Sequence, residues 1–255
     1  MNINELLETA KLGDMYAIEQ VACYYLDNNN DSEAVKWFVA LYEKGHLPAI
    51  TMIMSIKNLL AYAESQLDGI REAVNSFEDA YKWATLGKAD LELGKFGDDE
   101  DINIDILTEY EIAAYNLATS YFLRREYMKA KGVAAKINST RGEVLYGLIT
   151  YQNSSTTQEL FEGFNYMQII ENNVDYGMVE KDEWEEFIYT HASIYISMIY
   201  RQGLPEHSVY ANTDKAVNVL NFANTYVKRE VHKKYIAEEL SLYKKKLFGG
   251  YKYIG

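Results

Sequence analysis

The stretch Ala17–Gly45, AIEQVACYYLDNNNDSEAVKWFVALYEKG, decides the fold of this chain. Two runs with helical periodicity flank a polar break, DNNNDSE. In the first run, Ala17, Val21, Ala22 and Tyr25 are spaced so that they share one helix face. The second run repeats this mixture of small and large residues on one face. The stretch therefore predicts two packed helices joined by a short turn.

The same register recurs further along the chain. Apolar residues follow a tyrosine at the same three spacings in three places: Tyr25 with Ala34, Phe38 and Leu41; Tyr121 with Ala130, Ala134 and Ile137; and Tyr151 with Leu160, Phe164 and Met167. One helix pair cannot bury its apolar face alone, whereas stacked pairs cover one another. The repetition predicts an all-α protein, an α-solenoid of antiparallel helix pairs.

Polar breaks predict the ends of the helices. Further pairs are expected over 47–90, 111–137, 141–171 and 190–228. The predicted N-caps are Asp31 or Ser32, Thr156 in a capping box with Glu159, and Thr213 or Asp214. A basic helix over about 231–247, stopped by Gly249, is expected to cap the array. This divides the chain into a repeat array, 1–228, and a C-terminal capping helix with a short basic tail, 229–255.

The charge of the chain is strongly negative and unevenly distributed. The formal net charge is −13, which argues against a nucleic-acid partner because phosphate binding depends on Lys and Arg. Residues 226–255 nevertheless carry eight Lys or Arg against three Glu. This basic end is either a docking surface or a cap that packs on the acidic remainder.

The apolar runs and the cysteine content indicate the expected compartment of the protein and whether it crosses a membrane. The first residues, MNINELLETAKLGD, lack the basic start and apolar run of a signal peptide. No apolar run is long enough to span a membrane, and the single cysteine, Cys23, excludes an internal disulfide. We expect a cytoplasmic protein without a membrane partner.

The residues that could carry chemistry do not form a known catalytic or metal-binding pattern. Asp99, Asp101, Asn103 and Asp105 alternate like the start of a calcium loop, but the positions of its glycine and bidentate glutamate hold Ile104 and Tyr110. This acidic run is expected to be a solvated loop before a helix that starts near Leu107. The four histidines lack metal-ligand spacing, and no phosphate-binding glycine loop occurs. We expect no enzyme activity, no metal and no cofactor.

The repeated residues resemble the tetratricopeptide family, in particular its Sel1-like branch. Ala34, Trp37 and Phe38 lead into the sequence Glu43-Lys44-Gly45, and Ala80, Trp83 and Ala84 form a second copy. The consensus glycine of the first helix is replaced by Ala22, Ala118 and Ser197. The resemblance covers most of residues 5–228 and implies a superhelix whose first helices line a concave face that binds peptides or proteins.

This resemblance implies a non-enzymatic scaffold or adaptor with a protein or peptide partner of unknown identity. The residues expected to face that partner are Tyr16, Gln20, Tyr115, Asn116, Tyr146, Tyr195 and Arg201. Tyrosine suits such a surface because it combines apolar area with a hydroxyl group. The alternative is a peptide- or stress-responsive regulatory subunit that acts through its C-terminal helix in a larger assembly. A homodimer through one end of the array is a further expectation.

Overall fold

The computed structural model describes residues 2–178, 181–246 and 249–255, which are mostly α-helical. Within each unit, most helices that follow one another in sequence pack against one another. Short connections between packed neighbours require antiparallel directions, so the predicted all-α fold of successive helix pairs is confirmed. The chain forms two compact units, Met1–Arg124 and Arg125–Gly255.

The first unit contains six helices among its described residues. They are α1, Ile3–Lys11; α2, Met15–Asp27; α3, Asp31–Glu43; α4, Ala49–Asp68; α5, Val74–Glu92; and α6, Glu100–Leu123. Each helix packs on the next one, and α6 packs on both α5 and α4. The first unit has 9 basic and 22 acidic residues, so it accounts for the whole net charge of the chain.

The second unit contains shorter helices and ends in a β-hairpin. Its helices are α7, Tyr127–Ala134; α8, Thr140–Gln152; α9, Thr157–Met167; α10, Ile169–Asn172; α11, Val174–Met178; α12, Glu183–Gln202; α13, Thr213–Tyr226; and α14, Glu230–Leu240. The hairpin strands are β1, Tyr243–Lys245, and β2, Tyr251–Tyr253. Helix α12 is central, since α8, α9, α13 and α14 all pack on it.

Except for Leu160, which is half-buried, the packing positions predicted from the repeated register are buried. They include Ala17, Val21, Ala22, Ala34, Phe38, Leu41, Ala113, Leu117, Ala118, Ala130, Ala134, Ile137, Phe164, Met167, Ala192, Ile196 and Ser197. The tyrosines at the end of the first-helix motif vary: Tyr121 and Tyr200 are buried, whereas Tyr25 is only half-buried. Burial of the small residues allows the neighbouring helix to approach closely.

Two predicted N-caps lie one or two residues C-terminal to the N-caps in the structure. Asn30 caps α3, since its side chain accepts a hydrogen bond from the backbone N–H of Glu33, and Asn212 caps α13 in the same way. Asn29 adopts a left-handed conformation with φ of 56°, which shortens the turn between α2 and α3. Asn, Asp, Ser and Thr are all good N-caps, so the sequence alone could not choose among adjacent candidates.

The acidic run before α6 is not a loop. Helix α6 begins at Glu100, and Asp99 caps it by accepting a hydrogen bond from the Ile102 backbone N–H. Glu100 and Asp101 lie in the first turn, where negative charge interacts favourably with the unpaired N–H groups of a helix N-terminus. The acidic run therefore starts the helix, and the expected start near Leu107 is wrong.

The C-terminal helix is also shorter than predicted. Helix α14 ends at Leu240, and Lys244 and Lys245 lie on β1 instead of in a last helical turn. The last residue of the predicted helix, residue 247, lies outside the described residues. Gly249 has φ of 90° and belongs to the hairpin connection. Contacts of the hairpin with α12, such as Tyr243 Oη to Ser197 Oγ at 3.0 Å, override the local helix signal.

The predicted capping box at the start of α9 is confirmed and gives a stability prediction. Thr156 Oγ1 accepts the Glu159 N–H at 3.2 Å, and a Glu159 carboxylate oxygen accepts the Thr156 N–H at 3.2 Å. We expect Thr156→Ala to lower the free energy of unfolding by about 1 kcal/mol. Urea denaturation of the full chain measures this. The control Gln158→Ala, at an exposed position of the same turn, is expected to change stability by less than about 0.5 kcal/mol.

Candidate functional site

The sequence-predicted site residues of the first unit differ in accessibility. On α2, Tyr16 is 64% exposed and Gln20 is half-buried, so both can meet a partner. On α6, Tyr115 is only 2% exposed and Asn116 only 8%. All residues of 113–122 are buried, and α4 and α5 both pack on α6. Tyr115 and Asn116 are therefore buried in this structure, and their contact with a ligand stays a prediction.

In the second unit, Tyr146 belongs to a polar and aromatic cluster between α7, α8 and α9. Its hydroxyl donates a hydrogen bond to a Glu162 carboxylate oxygen at 3.1 Å, and its ring meets the ring of Tyr166 edge-on at 4.8 Å. The ammonium of Lys131 lies 4.9 Å from the centre of the Tyr146 ring. A shallow cleft of about 360 Å³ adjoins Tyr146 and Tyr166. Tyr146 is thus half-buried in its own unit.

Tyr195 and Arg201 also contact their own unit. The ring of Tyr195 stacks on Tyr151 with 4.6 Å between ring centres. Arg201 Nη1 lies 2.6 Å from Glu239 Oε1, and the guanidinium lies 4.3 Å from the centre of the Tyr253 ring. Arg201 therefore fixes α14 and the hairpin to α12. Each of the three predicted residues of this unit thus contacts side chains of the same unit.

A groove that the sequence did not reveal runs between α9, α10, the end of α12 and α13. We call it the α9–α13 groove. It consists of two clefts, of about 450 and 280 Å³, that share Lys215 in their walls. Its other named members are Phe161, Asn165, Gln168, Ile170, Glu171, Tyr200, Tyr210, Asn212, Asn218, Val219 and Phe222. Both apolar side chains and primary amides line it.

One face of α13 supplies a wall of the groove. Lys215, Asn218, Val219 and Phe222 are spaced three, four and seven residues apart, so they share that face. The start of α13 is fixed by Asn212, whose side chain accepts the Lys215 N–H at 2.9 Å. Lys215 is exposed and forms no ion pair with any residue that the structure describes.

A hydrogen-bonded triad forms the inner wall where the two clefts meet. The Tyr200 hydroxyl donates to a Glu171 carboxylate oxygen at 2.8 Å and accepts from the Gln168 amide at 2.8 Å. Burial, together with the bond to Glu171, raises the pKa of Tyr200 to about 12. Burial also raises the pKa of Glu171, although the Tyr200 hydroxyl and the charge of Lys215 oppose this rise. Tyr200 thus keeps its proton at neutral pH and holds Glu171 in place.

The outer end of the groove is aromatic. Phe161 stacks face to face on His207, with 4.4 Å between ring centres. Nε2 of His207 is buried and has no hydrogen-bond partner among the described residues. Tyr210 is 74% exposed at the rim. On the connection between α12 and α13, Tyr210 therefore presents its ring to a ligand that enters the groove.

The groove suits an extended polypeptide. A primary amide group carries both donors and acceptors, so Asn165, Gln168 and Asn218 can pair with the backbone of a bound chain. The apolar side chains offer area for its side chains, and Lys215 offers a positive charge.

Groups that could support catalysis or metal binding are sparse in the described part of the chain. No cluster of three or more His, Cys, Asp or Glu is placed to hold a metal ion there. Burial raises the pKa of the Cys23 thiol, and the charges of Glu19 and Asp27 raise it further. This thiol is therefore protonated and weakly nucleophilic at neutral pH. The described helices include none that is long and apolar enough to cross a membrane.

Comparisons with known proteins leave the family of this chain open. No protein-family profile matches it, and no curated protein matches its sequence. One solved structure is similar: a protective antigen present in uropathogenic Escherichia coli strains, described as displaying an SLR fold. The two sequences are 13% identical, the match covers 94% of this chain and 71% of the antigen, and the TM-score is 0.33. We base no assignment on a match of this extent.

Proposed function

We propose that this chain is a non-enzymatic adaptor that binds a peptide or an extended protein segment in the α9–α13 groove. The observation that carries the proposal is the composition of the groove, which combines amides and apolar side chains with the cation of Lys215. The resemblance of the sequence to tetratricopeptide and Sel1-like repeats supports it, since that resemblance implies peptide or protein binding.

The chemistry of the groove specifies the kind of ligand. An apolar ligand side chain fits the cleft beside Ile170, Val219 and Phe222, which is predominantly apolar. A ligand carboxylate fits next to Lys215, since an exposed ammonium without an ion pair gains from a negative partner. The ligand is therefore an extended segment that carries an apolar residue close to an acidic one.

Peptide selection followed by substitution tests this proposal. Peptides are first selected from a random displayed library on the full-length protein. We then expect the double variant Lys215→Ala/Asn218→Ala to bind a selected peptide about tenfold more weakly, because it loses one charge interaction and one amide hydrogen bond. Fluorescence anisotropy with the labelled peptide measures the dissociation constant.

A matched control lies on the same helix. Asn224 is exposed on α13 but does not line the groove, so Asn224→Ala should leave the affinity within about twofold of the original protein. The Lys215→Ala/Asn218→Ala variant could bind the peptide as tightly as the original protein and keep its circular dichroism spectrum. That result would place the peptide site outside this groove.

A further inference from the structure

The C-terminal hairpin has two different faces. Tyr243 pairs with Tyr253 and Lys245 with Tyr251, whereas Lys244 pairs with Lys252. Because successive residues of a strand point to opposite faces, the tyrosines lie on one face. That face packs on α12, where Tyr243 meets Ser197 at 3.0 Å and Tyr253 lies over Arg201. Lys244 and Lys252 lie on the other face, and both are exposed.

The outer face of the hairpin concentrates uncompensated positive charge. Lys244 and Lys252 stand directly opposite each other, and such pairs of like charge destabilise a sheet. Lys245, whose side chain lies on the tyrosine face, and Lys246, directly after β1, are exposed as well. None of these four lysines forms an ion pair with a described residue. The arrangement costs stability and leaves the charge open to a negatively charged partner.

Nearby lysines on α14 behave differently. Lys233 lies 2.9 Å from a Glu230 carboxylate oxygen, and Lys234 lies 3.9 Å from one of Glu238. The positive charge of α14 is thus neutralised within its own helix, whereas the charge of the hairpin is not. The two sets of lysines provide a matched comparison.

The two edges of the hairpin also differ. Ile254 N–H donates to Leu242 O, and Lys246 N–H donates to Gly250 O, so these are hydrogen-bonded pairs of the ladder. Hydrogen-bonded and non-hydrogen-bonded pairs alternate in an antiparallel ladder, so Lys245 and Tyr251 form a non-hydrogen-bonded pair. It follows that Lys245 directs its N–H and C=O away from β2, along the outer edge of β1. No described residue accepts the Lys245 N–H. At the opposite edge, the Tyr251 N–H already donates to Asp214 Oδ1 at 2.6 Å.

We propose that the open edge of β1 and the lysines of the outer face together dock an extended acidic segment of another protein, which adds to the hairpin as a third strand. The main-chain groups of Lys245 supply the strand pairing. Carboxylates at every second position of the segment then lie over Lys244 and its neighbours. The site is separate from the α9–α13 groove.

A polypeptide fits these observations better than another polyanion. The open edge presents both a donor and an acceptor, which the N–H and C=O of a polypeptide match, whereas phosphate groups only accept. The remaining 225 residues carry a net charge of −18, which repels a long polyanion such as a nucleic acid or an anionic membrane surface.

Anisotropy with a labelled peptide of alternating Glu and Val tests this proposal on the full-length protein at low salt. We expect binding, and we expect Lys244→Gln/Lys252→Gln to weaken it about tenfold, because two charge interactions are lost. Lys245→Pro removes the outward N–H but no bond within the ladder, and should weaken binding about fivefold. A peptide of alternating Gln and Val should not bind measurably.

The control Lys233→Gln/Lys234→Gln changes the net charge by the same amount and should alter the affinity by less than about twofold. Circular dichroism checks that each variant is folded. The proposal is overturned if the Glu-Val peptide does not bind, or if both lysine pairs contribute equally. It is also overturned if an oligothymidylate, or vesicles containing phosphatidylserine, bind more tightly and displace the peptide.

Discussion

Gly163→Ala is expected to lower the free energy of unfolding of the second unit by about 2 kcal/mol. Gly163 on α9 faces Gly147 on α8, and a β-carbon at Gly163 would lie 2.7 Å from the Tyr151 nitrogen and 2.8 Å from the Gly147 oxygen. Both are backbone atoms, so α8 and α9 must move apart to accept the methyl group. Such overpacking costs roughly 3 kcal/mol, of which the better helix propensity of alanine returns about 1 kcal/mol.

Gly132→Ala is the matched control for this change. Gly132 lies in α7, in the same unit, and a β-carbon there would meet nothing within 4 Å. Alanine should therefore stabilise the chain by about 0.5–1 kcal/mol, because it restricts the unfolded state without a steric conflict. Hydrogen exchange of the backbone amides of α8 and α9 in the full chain measures the change in stability for both glycine variants. A Gly163→Ala variant as stable as the original would show that the two helices separate at little cost.

The contrast between these glycines shows how far the sequence predicts the fold. The register of small and large residues predicted helix pairs in close contact, and the buried positions of α2 and α3 confirm it. Which glycine stands at a helix crossing depends on the partner helix, however. In the sequence, Gly132 and Gly163 both lie in segments that are expected to be helical. Only the packing of α8 on α9 distinguishes them.

The candidate site was harder to predict, for a similar reason. Helical periodicity indicates which residues share one face of a helix. It does not indicate which of the faces is covered by another helix. It therefore predicted an accessible surface at Tyr115 and Asn116, although both residues are buried. The α9–α13 groove joins Gln168, Tyr200 and Lys215 from three separate elements, and no spacing within one segment indicates that combination.

The hairpin shows a third limit of sequence reasoning. Residues 241–246 continue a lysine-rich run that is compatible with a helix, yet α14 stops at Leu240. The strand is selected by tertiary contacts, since Tyr243 reaches Ser197 and Tyr253 covers Arg201. Arg201 therefore stabilises the C-terminal segment of its own chain, a role that its helix position alone did not indicate.

Glu186→Ala is expected to be the most destabilising of these substitutions, with a loss of about 3 kcal/mol. Glu186 on α12 is 2% exposed, and its carboxylate accepts the Arg229 N–H at 2.8 Å, the Arg229 guanidinium at 2.9 Å and His232 Nδ1 at 3.0 Å. Removing one member of a buried ion pair leaves the other charge uncompensated, which costs roughly 3–5 kcal/mol. The lower end applies because the Arg229 side chain is 37% exposed.

The loss should be concentrated at the start of α14. Arg229 and His232 attach this helix to α12, so hydrogen exchange of residues 230–240 should accelerate more than that of the first unit. Glu183→Ala is the control: Glu183 is exposed in the first turn of the same helix, and its removal should cost less than about 1 kcal/mol. Equal effects of the two substitutions would show that the buried carboxylate has no special role.

The pH dependence of Glu186→Gln separates the charge of this carboxylate from its shape. Burial alone would raise the pKa of Glu186, but the hydrogen bonds from the Arg229 backbone and His232 outweigh burial and hold the pKa below its ordinary value of 4.5. The ionised carboxylate thus binds its proton less readily in the folded chain than in the unfolded chain. Its stabilisation is complete above pH 4.5 and is lost as the pH falls through the lowered pKa.

The original protein should therefore be more stable than Glu186→Gln at pH 7, and acidification from about pH 5 to pH 3 should reduce the difference. Urea denaturation of both proteins across this range measures the difference, and a gap independent of pH would contradict the assigned role of the charge.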